Sequence, residues 1–403
     1  MKILIIHNRY KQIGGEDAVV SAESDLFCRN GHDVEKIIYD NSLIKSFIET
    51  CKSGLKAIYN PDSAKVLEMK IREFHPDVIH VHNFLPLVSP SVFFTANKWN
   101  IPVFLTLHNY RLICPSATLF FKGRIYEKSI KSIFPIHAIV KGVYRNSPMQ
   151  TAMVVLMTAV HHFMGTWKNK IDAYITLTQF AKQKFIHSAL SIPEEKLFVK
   201  PNFVEDCDNE VFEREDFFLF IGRLTEEKGI QTLLKAADLY YFKIVIIGDG
   251  PLRPLVEASA EKNPNISYIG FQPKKVILDY LKKCKALIFP SLWYEGFPVT
   301  LAESLSTSTP VIASDLGSMK EIIQDHVNGL LFKTGSADDL ILAIMEMNMD
   351  DHLAKELSAN ARLSYLNYYT PEKNYNQLLR IYHRAMESRT VKTEPVHYPI
   401  SVS

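Results

Sequence analysis

Short runs of Ile, Val, Leu and Phe alternate along this chain with longer stretches in which apolar positions recur at helical spacing. The runs at 2–7, 34–39, 78–82, 103–107, 173–177 and 198–200 predict six strands in the first half. Those at 217–221, 243–247, 266–268, 286–289, 311–313 and 330–332 predict six more in the second. Within each run the apolar residues are continuous rather than alternating, the pattern of strands covered on both faces in a parallel sheet. Twelve such strands separated by amphipathic segments predict an α/β chain of two doubly wound, Rossmann-like domains. The segment Pro201-Asn202-Phe203-Val204, followed by the polar stretch 205–216, interrupts regular structure. It predicts an N-terminal domain over 1–203 and a C-terminal domain over 204–371. Residues 338–389 read as terminal helices, the last (about 372–389) opened by Pro371 and able to pack back on the first domain. The tail 390–403 carries two prolines and no periodicity, and is expected to be loosely ordered.

One segment breaks the alternation. Residues 148–167 (PMQTAMVVLMTAVHHFMGTW) are apolar, Met-rich and flanked by Lys141, Arg145, Lys168 and Lys170. Their uninterrupted apolar stretch is well short of the ~20 residues a bilayer span needs. Two readings remain open: a buried helix of the first domain with Met as gap-filler, which is preferred, or a helix at a membrane interface held by its basic flanks.

Length and composition fit this picture. A chain of 403 residues exceeds one ordinary core, and 47% hydrophobic with 22% charged residues is a globular composition. The net charge of +2 conceals an asymmetry: residues 1–204 carry 25 Lys+Arg against 16 Asp+Glu, the remainder 21 against 28. A basic first half suits an anionic partner or surface. Five cysteines without a C-x-x-C spacing argue against a disulfide framework or zinc site. The start of the chain reads as a buried strand rather than a signal peptide, so a cytoplasmic location is expected.

The strongest chemical candidate is Ser291-Leu-Trp-Tyr-Glu295-Gly296-Phe297-Pro298-Val299-Thr300-Leu-Ala-Glu303. A strand ends at Pro290, a turn follows, and Pro298 suits the first turn of a helix. The backbone N–H groups of Gly296 to Thr300 then converge at a helix N-terminus, where unpaired donors and the dipole favour an anion. Gly296 would let a ligand approach closely. The carboxylates of Glu295 and Glu303 suit sugar or ribose hydroxyls. A second candidate, Gly222-Arg223-Leu-Thr-Glu-Glu-Lys228-Gly229, sets two cations at the C-terminal edge of a strand, where open α/β sheets bind ligands. Together they suit a diphosphate leaving group. Gly248-Asp249-Gly250-Pro251 fails as a dinucleotide fingerprint because Arg253 replaces the third Gly, so it reads as a turn that lets a nucleotide come near.

In the first half, Ile13-Gly14-Gly15-Glu16 follows the first strand and could touch phosphate or the transferred sugar. His108, at the end of the fourth run, could hydrogen-bond the sugar or help a proton leave an acceptor hydroxyl. His80 and His82 share a strand face but show no third metal ligand, and Asp206-Cys207-Asp208 resembles a metal–diphosphate motif only by chance. No metal, no other cofactor and no nucleic-acid partner are expected.

Taken together, G-R-L-x-x-x-K-G (222–229), G-D-G-P (248–251), Glu295…Glu303 and P-V-I-A-S-D-L-G-S-x-x-E-I-I (310–323) resemble glycosyltransferase family 4, retaining enzymes of GT-B fold. T-L-H-N-Y-R-L-I-C-P (106–115) and P-N-F-V (201–204) resemble a branch common in bacterial surface-polysaccharide clusters. The resemblance implies that Arg223 and Lys228, with Gly15 opposite, bind the donor diphosphate and that Glu303 binds the ribose. Glu295 would sit near the donor sugar on the acceptor side. Gly296, Phe297, Pro298, Val299 and Thr300 would line the sugar–phosphate pocket, Gly248 and Gly250 the nucleotide turn, and Gly14, Gly15 and His108 the opposite wall. It also implies a nucleotide-sugar donor, a glycan or lipid-linked acceptor, a location reaching the cytoplasmic face of the inner membrane, and front-face attack without a metal. Ser308 stands where the family often has Gly, and Tyr126 and Ser129 stand where related sequences carry a cysteine pair. The alternatives on the same fold are a sugar-nucleotide epimerase and an inactive nucleotide-sugar-binding scaffold.

Overall fold

The computed structural model describes residues 1–9, 14–41, 56–207 and 214–393. Two six-stranded parallel sheets account for all twelve predicted runs, with ends shifted by one or two residues. The first sheet contains β1 (Lys2–Arg9), β2 (Asp33–Asp40), β3 (Val78–Asn83) and β4 (Val103–Leu107). The periodicity did not predict the short antiparallel hairpin that follows, β5 (Phe120–Phe121) and β6 (Arg124–Ile125), because two-residue strands carry no period. The chain then returns to the first sheet with β7 (Ala173–Thr176) and β8 (Leu197–Val199). The second sheet comprises β9 (Phe218–Ile221), β10 (Ile244–Ile247), β11 (Ile266–Tyr268), β12 (Leu287–Phe289), β13 (Val311–Ser314) and β14 (Gly329–Phe332).

Strand order fixes where a ligand fits. The first sheet runs β2-β1-β3-β4-β7-β8 and the second β11-β10-β9-β12-β13-β14. In each, the connections leave in opposite directions at one point, between β1 and β3 and between β9 and β12. A crevice opens there at the C-terminal strand ends. The G-R-L and E-G-F-P loops follow β9 and β12, so the fold itself brings them together.

The continuous apolar runs are buried as expected. Ile3, Leu4 and Ile5 of β1 and Val78, Ile79 and Val81 of β3 have no solvent exposure. The last helix, Pro371–Thr393, runs past the predicted end at 389; residues 394–403 of the predicted tail lie outside the described residues. Its Leu378, Ile381, Tyr382 and Ala385 pack against Ile3, Ile5, Phe104 and Ile175 of the first sheet and Phe27 of the helix Gly15–Arg29. The polar stretch after Val204 is not merely a linker. Arg362 grips Asp206 through two bonds of 2.8 Å, so the Asp206 carboxylate is engaged structurally. Asp208 lies outside the described residues. Arg214 donates to the carbonyls of Cys284 (2.8 Å) and Ser308 (2.6 Å) and to Thr309 Oγ1 (2.9 Å), stapling the entry to β9 against the second sheet.

The segment 148–167 is a helix over Pro148–Phe163, capped by Ser147 and followed by a short helix, Thr166–Asn169. Its inner face (Thr151, Val155, Met157, Thr158, Ala159, His161) is core, as the preferred reading held. Its outer face is not: Met149, Leu156 and Phe163, seven residues apart and therefore on one stripe, are exposed. Among the described residues no helix is long and apolar enough to cross a membrane.

Candidate active site

A cavity of about 330 Å³ lies between the C-terminal edges of the two sheets. Gly15, Glu16, His108 and Thr118 line one wall, Gly222, Lys228 and residues 293–300 the other, and Asn202 of the connecting segment the floor. Of the residues singled out in the sequence, Gly15, His108, Lys228, Glu295, Gly296, Phe297, Pro298, Val299 and Thr300 therefore meet at one place. Gly14, Arg223, Gly248, Gly250 and Glu303 fall outside the immediate lining.

The second-domain wall is built from local loops. Lys228 Nζ lies 2.7 Å from Glu295 Oε1, which also accepts a 2.7 Å bond from Ser291 Oγ. Ser318 Oγ donates to the Glu295 carbonyl at 2.8 Å and pins the turn from behind. The Lys228 ammonium also sits 5.5 Å from the centre of the Trp293 ring and 5.6 Å from that of Phe289. Glu295 thus holds Lys228 at the cavity edge, beside the first turn of the helix Val299–Ser306, whose leading N–H groups have no intrahelical acceptor. An ammonium and a helix N-terminus converging on one space suit an anionic group.

Glu303 stands one turn into that helix. Burial raises its carboxyl above the ordinary range, opposed by Lys274, whose Nζ is 3.2 Å away. Arg223 is exposed at the end of β9, outside the cavity wall.

Two glycine expectations are corrected by the packing. A Cβ on Gly296 would lie 2.6 Å from the carbonyl oxygen of His108, so this glycine admits the opposite domain's backbone and not only a ligand. A Cβ on Gly248 would lie 1.9 Å from the Gly222 carbonyl, and one on Gly250 2.6 Å from that of Leu224. The Gly-Asp-Gly turn therefore packs directly beneath the G-R-L loop. Gly14 and Gly15 differ: neither has a positive φ, and a Cβ on either would meet nothing within 4 Å.

Domain contacts flank the cavity. The Glu321 carboxylate accepts from the backbone N–H of Gln179 (2.7 Å) and Phe180 (2.8 Å), capping a first-domain helix from the second domain. The Phe180 and Tyr294 rings meet at 4.7 Å, with Lys184 Nζ 5.1 Å from the Tyr294 ring centre.

The first-domain wall is assembled from distant segments. His108 Nε2 is 3.0 Å from His82 Nδ1, and His82 Nε2 is 3.2 Å from Glu23 Oε2. Glu23 in turn pairs with Lys200, which also donates to Asn374 Oδ1 at 3.2 Å. His80 bonds Thr106 Oγ1 at 2.8 Å and Tyr382 OH at 2.7 Å. The expectation that His80 and His82 lack a third partner is overturned: Glu23 brings an oxygen within 4.8 Å of both. Sequence could not show this, because Glu23 lies on the helix Gly15–Arg29, far from β3 along the chain. The set is closed by the chain's own groups, with both His80 nitrogens engaged and Lys200 on the carboxylate. Burial, reinforced by His82, lowers the pKa of His108 well below the ordinary imidazole value.

Glu16 and Asn202 are among the lining residues that the sequence did not pick out as site residues. Glu16 follows the Gly pair directly. Its Oε1 is buried without a hydrogen-bond partner among the described residues, 3.8 Å from His7 Nδ1. Burial pushes its carboxyl up to about 8, against the pull of Arg111. Asn202 is also buried, with Oδ1 unpartnered among the described residues. Their neighbours in the motifs gave the only signal.

Residues 22–206 match the family profile described as Glycosyltransferase Family 4, and residues 205–364 the one described as Glycosyl transferases group 1. Neither alone reaches half of the chain, but end to end they run from residue 22 to 364, taking in every strand of both sheets except β1. The chain belongs to the family 4 glycosyltransferases. This family 4 chain is 29% identical over 182 residues to the O-antigen chain mannosyltransferase C of Escherichia coli, covering 44% of this chain and 48% of that one. It is 26% identical over 290 residues to the putative teichuronic acid biosynthesis glycosyltransferase TuaC of Bacillus subtilis, covering 70% and 64%. These matches span about half to two thirds of the relatives' own length. Among solved structures, a glycosyltransferase from Rickettsia africae ESF-5 superposes with a TM-score of 0.66 at 17% identity, covering 96% of this chain and 99% of that one. Anabaena Alr3699/HepE in complex with UDP superposes with a TM-score of 0.66 at 15% identity, covering 97% and 100%. At such identities the likeness is one of fold, and the fold is GT-B: two Rossmann-like domains facing across a cleft.

Proposed function

We propose that this family 4 chain is a retaining, metal-independent glycosyltransferase that moves a sugar from a nucleotide-diphosphate sugar to a glycan or lipid-linked glycan in surface-polysaccharide assembly. We take 1–203 and 204–371 as its acceptor-side and donor-side domains, with the last helix returning to the first. The observation that carries the reading is the Lys228 ammonium beside the N-terminus of the helix Val299–Ser306, facing His108 and Gly15 across the cavity. The UDP-glucose complex of HepE and the mannosyltransferase and teichuronic acid relatives favour a nucleotide-sugar donor and a polysaccharide product.

In the proposed reaction the anomeric carbon–phosphate oxygen bond breaks and the electron pair leaves with the diphosphate. Lys228, Arg223 and the helix N-terminus stabilise that growing charge. The acceptor hydroxyl attacks from the face the phosphate is leaving, the new glycosidic bond forms there, and the hydroxyl proton passes to the departing phosphate oxygen. Glu295 positions Lys228 and faces the sugar, Glu303 accepts from ribose hydroxyls, and His108 accepts from a hydroxyl of the transferred sugar. A ligand that binds only the native state raises its melting temperature. Thermal stabilisation by a panel of sugar nucleotides, weakened by Lys228→Ala, is the expected result; no stabilisation by any of them would overturn the reading.

We also propose that the outer face of the helix Pro148–Phe163 rests on an anionic lipid surface on the cytoplasmic side. Phe163 is 80% exposed and Val140, on the neighbouring helix Ile136–Lys141, 73%; Lys141, Arg145 and Lys168, all exposed, flank the helix in the sequence. A helix apolar on both faces with one face uncovered suits an interfacial position. Co-sedimentation with anionic vesicles should be lost in Met149→Ser/Leu156→Ser/Phe163→Ser with unchanged melting temperature. Absence of binding by the parent chain would refute the proposal.

A further inference from the structure

The buried groups behind His108 form a chain that the proposed reaction does not use. Glu23, His80 and Lys200 are almost entirely inaccessible to solvent, and His82 nearly so. Such groups are costly to bury unless their polar atoms are matched, so their arrangement constrains where the protons lie. Burial works to raise the Glu23 carboxyl, but Lys200, with His82 and His80 beside it, overrides this and holds it well below the carboxylate range. Glu23 is therefore an acceptor only. Its Oε2 and His82 Nε2 lie 3.2 Å apart, out of line for a full hydrogen bond and with no other partner among the described residues; an N–H facing the carboxylate is the matched arrangement, which places the His82 proton on Nε2. Lys200 already balances the Glu23 carboxylate, so no second cation is called for in this sealed set and one ring proton suffices for His82. Its Nδ1 then offers a lone pair, and the atom 3.0 Å from it, His108 Nε2, must be the donor. The His82 and His108 rings lie 5.3 Å apart and nearly parallel (23°), and Tyr382 holds His80 against His82 at a ring distance of 4.3 Å.

We infer that Lys200, Glu23 and His82 are positioning residues that fix His108 as its Nε2–H tautomer, leaving Nδ1 as the acceptor nitrogen available to a substrate hydroxyl. The tautomer of a histidine is set by the bond its other nitrogen makes. The chain begins at the connecting segment, because Asn374 of the last helix bonds both Lys200 Nζ (3.2 Å) and the Pro201 carbonyl (2.7 Å). The last helix and the segment joining the two sheets thus hold the same network that orients a residue at the cavity.

The functional consequence rests on the proposed role of His108, whereas the tautomer does not, and the test separates them. In the full chain labelled with ¹⁵N-histidine, the His108 imidazole is identified by the signals lost in His108→Asn. The expected pattern is protonated Nε2 with unprotonated Nδ1. In Glu23→Gln, and in the charge-balanced Glu23→Gln/Lys200→Gln variant that guards against unfolding, this pattern should become mixed or reversed. There kcat should fall roughly 10- to 100-fold with little change in donor KM, the size expected when a hydrogen bond to the transferred sugar is lost in the transition state. An Nδ1-protonated His108 in the parent chain, or an unchanged tautomer in both variants, would overturn the inference. If the tautomer behaves as expected and His108→Asn keeps parental turnover, the proposed role of His108 fails instead.

Discussion

The two walls of the cavity contain the same kind of interaction, a Lys–Glu pair, in two different settings. On the second-domain wall Lys228 and Glu295 sit on neighbouring loops at the cavity edge, partly open to solvent. Behind the other wall Lys200 and Glu23 are sealed inside the first domain, joined to two histidines. The difference teaches what each pair is for. A pair at a cavity edge holds a cation ready for exchange with an incoming anion at small cost. A pair in the interior is committed, because neither charge tolerates loss of the other.

The largest expected effect breaks the buried pair. Lys200→Met strands the Glu23 carboxylate and should destabilise the fold by about 3–5 kcal/mol, measured by denaturant unfolding. Parental stability would show that the pair is not structural. The matching change on the other wall should reverse the balance. Lys228→Ala should alter stability by less than about 1 kcal/mol while lowering transfer roughly 10²- to 10³-fold. Glu295→Gln should follow it in direction. Full transfer by both would remove the donor-side assignment.

Glu16 sharpens the comparison through pH. Its folded-state value of about 8 lies above the ordinary 4.5. Between those values the folded chain keeps a proton that the unfolded chain releases, so stability falls as pH rises through this window. At about 1.4 kcal/mol per unit, the loss amounts to a few kcal/mol at most. Melting curves at pH 5 and pH 8 should show a smaller drop for Glu16→Gln than for the parent; identical drops would mean that Glu16 does not titrate there.

The smallest effect on stability is expected at Gly15, where Ala meets open space and should change it by no more than about 1 kcal/mol in the favourable direction. If a substrate phosphate rests on that backbone, transfer falls nonetheless. Gly296→Ala is the counterpart, since its methyl group meets the His108 carbonyl. It should perturb the closed arrangement even without ligand, detectable as a change in small-angle scattering.

The second-domain wall was legible because its parts are contiguous. Glu295 to Thr300 and Gly222 to Lys228 each occupy one loop, and a loop after a strand has a known edge to face. Even there, nothing in the sequence signalled that Gly296, besides lining the cavity, also packs against the His108 carbonyl of the other domain. The first-domain wall was legible only at Gly15 and His108. Glu23 sits mid-helix among ordinary polar residues and Lys200 reads as the end of a strand, so neither carries a local sign of its role. Asp206 looked like a chance motif and proved to be held by Arg362, a partner 156 residues away.

By itself the sequence determined the twelve strands, the parallel α/β class and the loops that carry the family motifs. It could do so because hydrophobic periodicity and turn chemistry act over a few residues. The tertiary structure alone decided which glycines admit a backbone, which face of the helix Pro148–Phe163 stays uncovered, and how the proton of His108 is held. These depend on atoms brought together from segments far apart in the chain, where burial sets the energy of every charge and hydrogen bond.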